Sequence, residues 1–309
     1  MKRPDFFVIG APKCGTTSLA RWLAENPGVY VSPVKEPFHF STDLHRQVRT
    51  AAEYEALFAK AGEGHAAVGE ATTWYLYSRT AVAGIERYSP GARYVVCLRN
   101  PVQMALSLYQ HLVFTGREDA PDFLSAWKRQ EARARGEGIP RSCEEPAFLQ
   151  YASVCALGEQ LQRLYARVDR ARVLPLLLDD MRDDPAREYR RVLAFLGAPD
   201  DGRSEFPVRN RAKHPRSLRL ARVMRWGTAV RDRMGLPRGL GLGRLNVKSE
   251  GRVASDPETV AMLERFFAPQ VDLLRTLLGR PLPEWTGTPE AAGPGAGNAQ
   301  PVAISRLRP

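Results

Sequence analysis

The stretch FFVIGAPKCGTTSL, residues 6–19, decides which fold this chain can adopt. Its apolar start predicts a buried strand that ends at Gly10. A short loop with Lys13 and Gly15 follows, and residues 18–25 then have the pattern of a helix. A strand, a glycine-containing loop and a helix N-terminus in this order bind phosphate-like anions, because backbone N–H groups and the positive end of the helix face the ligand.

The loop departs from the P-loop of nucleoside triphosphatases, whose pattern is Gly-x4-Gly-Lys-Ser/Thr. Gly10 and Gly15 have the matching spacing, but Thr16 stands where the lysine should be, and Lys13 lies inside the loop. The pattern therefore predicts an anion site of a related but distinct kind. An ordinary strand-to-helix turn is the alternative.

A second motif, YVVCLRNPVQMALS at residues 94–107, departs from the same pattern. In a nucleoside triphosphatase, a second apolar strand usually ends in an aspartate that helps to hold magnesium. Here the strand ends in Arg99, whose charge would repel a metal ion and attract an anion. Ser107 lies two turns into the following helix, so the two side chains could hold one phosphate from two sides. A surface ion pair of Arg99 is the alternative.

Strand and helix patterns alternate along the chain, which favours a mainly parallel sheet with helices on both faces. The predicted strands are 6–10, 29–31, 66–69, 93–98 and 173–178. The predicted helices are 18–25, 50–61, 79–88, 101–115, 121–135, 155–168, 185–196, 217–233 and 257–278. We expect one domain over residues 1–286 and a disordered tail over 287–309, which is rich in Gly, Pro, Ala and Thr.

Length, charge and cysteine content narrow the class of protein. The 309 residues can form one core, and the net charge of +11 is concentrated in residues 203–252, which hold 14 basic and three acidic side chains. Such a block indicates an anionic partner or a solvated helical face.

We expect a cytoplasmic protein with free thiols. The four cysteines do not have the spacing of a metal site. The sequence shows neither a signal peptide pattern nor a run of about 20 apolar residues.

The motifs resemble those of sulfotransferases that use 3′-phosphoadenosine 5′-phosphosulfate (PAPS), above all bacterial relatives of the carbohydrate, heparan-sulfate-type enzymes. The resemblance implies a P-loop-like three-layer α/β/α fold. It implies that the first loop binds the 5′-phosphosulfate, and that the strand-end arginine and the helix serine bind the 3′-phosphate. The residues so implicated are Lys13, Cys14, Gly15, Thr16, Thr17, Ser18, Arg99 and Ser107.

Three later segments carry the same resemblance. They are KEPFHF at 35–40, NVKSEGR at 246–252 and LGRPLPEW at 278–285. The second resembles a loop that closes over the cofactor, which implicates Lys248, Gly251 and Arg252.

The chemistry implied by this resemblance is an in-line displacement at sulfur that needs no metal. Lys13 and the loop N–H groups would stabilise the developing charge, and a general base would take a proton from the acceptor. Glu70 is the first candidate base, because it should emerge where a buried strand ends, and open parallel sheets bind ligands there. His39 and His111 are further candidates, and His111 shares a helix face with Ser107.

Two other functions remain open on the sequence. One is a P-loop kinase that uses ATP and magnesium, and the other is a non-catalytic polyanion-binding protein that uses the basic block. No recognised nucleic-acid motif supports a nucleic-acid partner. For a sulfotransferase, the acceptor could be a carbohydrate, a lipid or a secondary metabolite, with an anionic acceptor as one option. The oligomeric state is open.

Overall fold

The computed structural model describes residues 2–44, 50–207, 214–215, 247–248, 256–282 and 285. Its centre is a parallel five-stranded sheet with the strand order β2-β3-β1-β4-β5. The strands are β1 (Phe6–Gly10), β2 (Val29–Val31), β3 (Ala67–Ala71), β4 (Arg93–Leu98) and β5 (Val173–Leu177). Two short strands, β6 (His214–Pro215) and β7 (Val247–Lys248), form a separate antiparallel pair.

Helices flank the sheet and produce the three-layer α/β/α fold that the sequence predicts. In the described ranges they are α1 (Thr16–Ala24), α2 (Ala51–Ala56), α3 (Ala81–Tyr88), α4 (Pro101–Thr115), α5 (Phe123–Lys128), α6 (Gln130–Ala134), α7 (Tyr151–Val154), α8 (Leu157–Tyr165), α9 (Leu178–Asp183), α10 (Pro185–Leu196) and α11 (Pro257–Leu278). Two short 3-10 helices, Pro146–Leu149 and Arg170–Arg172, complete the connections.

The central strand β1 is fully buried and packs very closely against β3. A Cβ atom on Gly69 would lie 2.3 Å from the carbonyl oxygen of Phe6, a distance that no side chain tolerates. Only glycine therefore allows β3 to take its place beside β1. The consequence is a tight central pair whose carboxyl ends lie side by side.

The order of the strands places a crevice at the end of β1. The chain leaves β1 toward β2 and β3 on one side, and it later reaches β4 and β5 on the other. In open parallel sheets, ligands bind outside the carboxyl ends of the strands where the connections diverge in this way. We therefore expect a ligand-binding site at the loops after β1, β3 and β4.

Most predicted elements are confirmed, and the errors are local. The strands over 6–10, 29–31 and 93–98 and the helices over 101–115, 185–196 and 257–278 have the predicted bounds. The helix predicted over 121–135 is divided into α5 and α6 at Arg129. The predicted helix over 217–233, the tail over 287–309, and Gly251 and Arg252 lie outside the described residues.

A buried ion pair joins the segment after α4 to α6. The side chains of Glu118 and Arg133 have no exposed surface, and both guanidinium Nη atoms donate to the carboxylate at 2.6 Å. Tyr151 donates to the same carboxylate at 2.7 Å, and the N–H groups of Asp119 and Ala120 donate at 2.9 and 2.8 Å. The Glu118 carboxylate thus accepts all its hydrogen bonds from protein groups and none from solvent.

We expect Glu118→Ala to lower the free energy of unfolding by about 3–5 kcal/mol, because it leaves the Arg133 charge buried without its partner. Urea denaturation measures this change. The double variant Glu118→Leu/Arg133→Met should recover most of the loss, since it removes both charges. Glu131→Ala breaks an exposed ion pair with Arg135 and is the control, with an expected cost below about 0.5 kcal/mol. An equal cost for Glu118→Ala and Glu131→Ala would contradict the assignment.

Candidate active site

The loop between β1 and α1 has the geometry of an anion site. Gly15 is the N-cap of α1, with φ of 86°, and no side chain caps this end of the helix. The first N–H groups of an α-helix have no partner within the helix, so those of Thr16 and Thr17 are available to a ligand. A Cβ atom on Gly15 would also lie 2.8 Å from Leu178. The left-handed backbone conformation is what favours glycine here, since the methyl group of Leu178 could shift to make room.

Most side chains of this loop are buried, so a ligand would contact mainly its backbone N–H groups. Thr16 and Ser18 are buried, while Lys13 and Thr17 are partly accessible. Cys14 is fully buried, with its thiol near the carbonyl oxygen of Pro12, and burial raises its pKa to about 12. The side chain of Cys14 is therefore packing, as are the other three free thiols, which are buried as well.

Lys13 is the cation of the loop, and its backbone is left-handed, with φ of 66°. A non-glycine residue in this conformation is uncommon and costs energy. Burial, and next the charge of Arg99, hold the pKa of Lys13 below its usual value. The charges of Lys35 and Glu36 act on it as well, which places these side chains in one electrostatic environment.

Arg99 follows β4 directly and contacts the first loop. Its Nη1 donates to the carbonyl oxygen of Lys13 at 3.2 Å, and its Nε and Nη2 lie 3.4 Å from Oε1 of Gln103. Asn100 caps the next helix, α4, by accepting from two of its first N–H groups. Ser107 is partly accessible on α4, one turn beyond Gln103. Arg99 thus adds a second positive charge beside the first loop, and Ser107 lies about two turns farther along, on α4.

The second wall of the site comes from the segment of residues 32–41, which follows β2. Glu36 also has a left-handed backbone, with φ of 58°. Its Oε1 lies 2.5 Å from Nζ of Lys35 and accepts from Oγ1 of Thr73 at 3.0 Å. The side chains of Lys35 and Glu36 are 35% and 27% exposed, so a solvent-borne acceptor can reach this pair.

His111, on α4, faces the same charges. Desolvation, followed by the charges of Lys13 and Arg117, lowers the pKa of His111 to about 4, and Glu36 and Lys35 also act on it. Its imidazole is therefore neutral at neutral pH. A neutral ring can accept or donate a hydrogen bond, but it is a weak base.

Comparison with known proteins identifies the architecture. A model of the sulfotransferase domain matches residues 3–214. The chain belongs to the sulfotransferase family. The structure of a sulfotransferase from Alicyclobacillus acidocaldarius shares 27% sequence identity, with a TM-score of 0.69, and the match covers 92% of this chain and 99% of that one.

Curated relatives resemble part of this sulfotransferase. Heparan sulfate glucosamine 3-O-sulfotransferases 3A1 and 3B1 of Mus musculus are 29% and 28% identical over 194 residues, which is 63% of this chain and 46% of theirs. This chain thus spans about half the length of these relatives. Membrane-associated sulfotransferase kil1 of Dictyostelium discoideum is 28% identical over 34% of this chain. No helix in the described ranges is long and apolar enough to cross a membrane.

Glu70 does not have the position expected of a general base in this sulfotransferase. It lies within β3, is fully buried, and accepts from the hydroxyls of Tyr54 at 3.0 Å, Thr72 at 2.6 Å and Tyr75 at 3.0 Å. An acceptor cannot reach a carboxylate with no exposed surface. The burial of Glu70 argues against its predicted role as the base, and the accessible carboxylate that acts on the charge of Lys13 is Glu36.

His39 is also turned away from the first loop. Its ring stacks on Tyr54, with centroids 4.3 Å apart and an interplanar angle of 9°. It lines a separate cavity of about 320 Å³, together with Phe40, Thr42, Thr80, Gly84, Arg87 and Tyr88. Since no residue of the first loop is among these, the structure gives no support to His39 as a base.

Glu36 is the site residue that the residue-by-residue prediction missed. The sequence singles out the segment KEPFHF for its family resemblance but assigns no role to its glutamate. In the structure this glutamate forms an ion pair with Lys35. The missing information was the left-handed turn at Glu36, which brings the pair to the charge of Lys13.

The C-terminal motif lies beside the strand ends. Nε1 of Trp285 donates to Asp179 at 2.9 Å, and Nδ2 of Asn100 lies 3.4 Å from the carbonyl oxygen of Trp285. Arg280 forms an ion pair with Asp180. These contacts hold the end of the described chain against the residue that follows Arg99.

Glu70→Gln should change how stability depends on pH. Burial raises the pKa of Glu70 from 4.5 to about 7, so the folded protein binds this proton more tightly than the unfolded chain does. The stability from this group is fully present below pH 4.5 and is lost as the pH rises through about 7. From roughly pH 4.5 to pH 8, the free energy of unfolding of the wild type should fall relative to Glu70→Gln by about 3 kcal/mol.

Urea titrations at the two pH values measure this difference. Glu63→Gln, at an exposed position, is the control and should show no such change. If the curves of the wild type and Glu70→Gln ran parallel between the two pH values, Glu70 would not titrate in this range.

Proposed function

We propose that this protein transfers a sulfuryl group from PAPS to a hydroxyl or amine of an acceptor. The observation that carries the proposal is that two left-handed residues from different loops, Lys13 and Glu36, share one electrostatic environment. One supplies a cation and the other an accessible carboxylate. Backbone strain that the surrounding structure maintains is typical of functional sites.

The residues present fit PAPS as the sulfuryl donor. The N–H groups at Gly15, Thr16 and Thr17, with the positive end of α1, suit the 5′-phosphosulfate. Arg99 and Ser107 suit the 3′-phosphate, because a guanidinium forms paired, charge-assisted hydrogen bonds. Lys248, Gly251 and Arg252 are proposed to close over the nucleotide.

The side chains divide the chemistry between them. When bound, PAPS supplies an activated sulfuryl group and a stable leaving nucleotide. Lys13 and the loop N–H groups stabilise negative charge, and their arrangement before reaction makes this stabilisation effective. Glu36 takes the acceptor proton, with Lys35 and Thr73 holding its carboxylate. Neutral His111 orients the acceptor by a hydrogen bond.

A kinase is less well supported than a sulfotransferase. The lysine of a P-loop is replaced by Thr16, and the acidic strand end that would hold magnesium is replaced by Arg99. A polyanion-binding protein would depend on residues 203–252, most of which lie outside the described residues. The site itself, with its accessible carboxylate beside cations, argues for catalysis.

Local charge and the names of the relatives bear on the acceptor. Lys35 and Arg117 both act on the charge of His111, and positive charge here favours a carbohydrate or another anionic acceptor over a neutral one. The two mouse relatives are named for a glycan acceptor. The four buried free thiols suit a reducing compartment such as the cytoplasm.

The direct test of the proposed function measures transfer from [35S]PAPS to a panel of acceptors: N-sulfated heparan-type polysaccharide, phenols and hydroxylated lipids. Calorimetry measures the binding of adenosine 3′,5′-bisphosphate. Transfer to a member of the panel with micromolar nucleotide binding supports the proposal. Turnover of ATP with magnesium and no binding of the bisphosphate would replace it with a kinase.

Arg99→Ala should weaken binding of adenosine 3′,5′-bisphosphate about 10- to 100-fold, since a hydrogen bond to a charged group contributes about 1.5–3 kcal/mol. Binding of adenosine 5′-phosphosulfate, which lacks the 3′-phosphate, should hardly change. Arg93→Ala, at the opposite end of β4, is the matched control. Equal losses for both nucleotides would contradict a role for Arg99 at the 3′-phosphate.

Lys13→Ala and Glu36→Gln should lower kcat by about 100- to 1000-fold each, the usual effect of removing a charge stabiliser or a general base. Nucleotide binding should stay within a few-fold of the wild type, because the loop N–H groups and Arg99 remain. Glu63→Gln is the surface control. Transfer at the normal rate by Glu36→Gln would remove Glu36 from the reaction.

A further inference from the structure

Glu70 is the centre of a buried hydrogen-bond network directly below the segment of residues 32–41. The hydroxyls of Tyr54 and Tyr75 both donate to its Oε1 at 3.0 Å, and that of Thr72 donates to Oε2 at 2.6 Å. Tyr54 comes from α2, whereas Thr72 and Tyr75 follow β3. Three donors around one solvent-free carboxylate fix the positions of the elements that carry them.

The end of β3 and the residues after it hold the segment of residues 32–41. The N–H of Ser32 donates to the carbonyl oxygen of Gly69 at 2.8 Å, and that of Glu36 donates to Ala71 at 2.9 Å. The N–H of Phe40 lies 3.4 Å from the hydroxyl of Tyr75. The segment is thus attached along its length to residues on either side of Glu70.

The attachments matter because the segment has an unusual backbone. Glu36 and Phe38 both have left-handed conformations, with φ of 58° and 56°. Each such residue costs of order 1 kcal/mol or more unless its neighbours enforce it. The anchors at Gly69, Ala71 and Tyr75 supply that enforcement. The carboxylate of Glu70 fixes Tyr75, which is one of these anchors, and Thr72, which adjoins another.

We propose that Glu70 is a positioning residue, whose carboxylate holds Thr72 and Tyr75 so that the segment of residues 32–41 presents Glu36 to Lys13. This inference rests on the proposed function only for the role of Glu36 as the base. The connection runs from the Glu70 carboxylate to the hydroxyl of Tyr75, from this hydroxyl to the N–H of Phe40, and then along the backbone of the segment to Glu36. Glu70 itself touches neither substrate nor nucleotide.

The charge of Glu70 makes the network sensitive to pH. Burial disfavours the carboxylate, the three hydroxyls favour it, and the negative charge of Glu36 disfavours it. Tyr88, from α3, lies 5.7 Å from Tyr54 between ring centroids, and Phe7 of β1 lies opposite Glu70 in the sheet. When Glu70 gains a proton, a carboxyl oxygen becomes a donor, and one hydroxyl must turn away from it.

Hydrogen exchange of the segment tests this inference without any acceptor. The measurement is exchange of the peptide over residues 32–41 in the free protein. Tyr75→Phe removes the link to Phe40, so we expect protection to fall about fivefold or more, the effect of one lost hydrogen bond. Tyr54→Phe is the matched control, because it removes a donor at the same 3.0 Å distance from the same oxygen but leaves the link to Phe40. Its protection should change less than about twofold.

A pH series separates positioning from simple packing. Corrected for intrinsic exchange, the protection of the segment in the wild type should change between pH 6 and pH 8 as Glu70 titrates, an interval of roughly one unit on each side of about 7. Glu70→Gln keeps the size of the side chain but does not titrate, and it should show no change over this interval. Tyr54→Phe and Tyr75→Phe each remove a donor to the carboxylate, so both should move the change to higher pH.

The outcomes distinguish this inference from the proposed function. Equal protection of the segment in the wild type, Tyr75→Phe and Tyr54→Phe would overturn the positioning role, even if sulfuryl transfer is observed. A pH-dependent change that persists in Glu70→Gln would overturn the role of its charge. With [35S]PAPS, Tyr75→Phe should lower kcat with little effect on bisphosphate binding, while Tyr54→Phe keeps kcat near the wild-type value once the pH is above its own, raised transition.

Discussion

Hydrogen bonding of β1 to a strand on each side is the constraint on which the site depends. The bonding continues past the strand ends, because the N–H of Ala11 donates to Cys97 at 2.7 Å and that of Leu76 donates to Ile9 at 2.8 Å. The loops after β1, β3 and β4 therefore start from fixed points. Without these bonds, the positions of Lys13 and Arg99 would not be defined relative to each other.

The fixed strand ends allow the protein to maintain strained backbone where the charges meet. Lys13, Glu36 and Phe38 are left-handed non-glycine residues among those described, and they lie in the two loops that form the site. The left-handed residues thus lie in the loops above the strand ends, and the sheet below is regular except for a register shift between Val8 and Gly10 in the pairing of β1 with β4. The buried sheet thus provides the free energy of folding that keeps the loops in their strained conformation and their charged groups in place.

The two glutamates of the site region show how far prediction from the sequence extends. Glu36 and Glu70 both follow or end a short strand, and both stand near small polar residues. The prediction placed Glu70 at the surface because strand ends bind ligands. In the structure β3 continues through Ala71, and aromatic side chains from α2 and the segment of residues 32–41 cover Glu70. The hydroxyl that Tyr54 donates to it comes from 16 positions away, and local patterns do not reveal such a contact.

The sequence by itself determined the fold class, the anion-binding loop and the absence of the usual lysine and acidic strand end, because these depend on local pattern and spacing. Six elements had their predicted bounds, since Pro and Gly at helix ends and apolar runs in strands act locally. Only the tertiary structure decided which glutamate faces Lys13 and which lies beneath it. That choice depends on left-handed turns and on packing between distant segments, and neither is written in the spacing of residues along the chain.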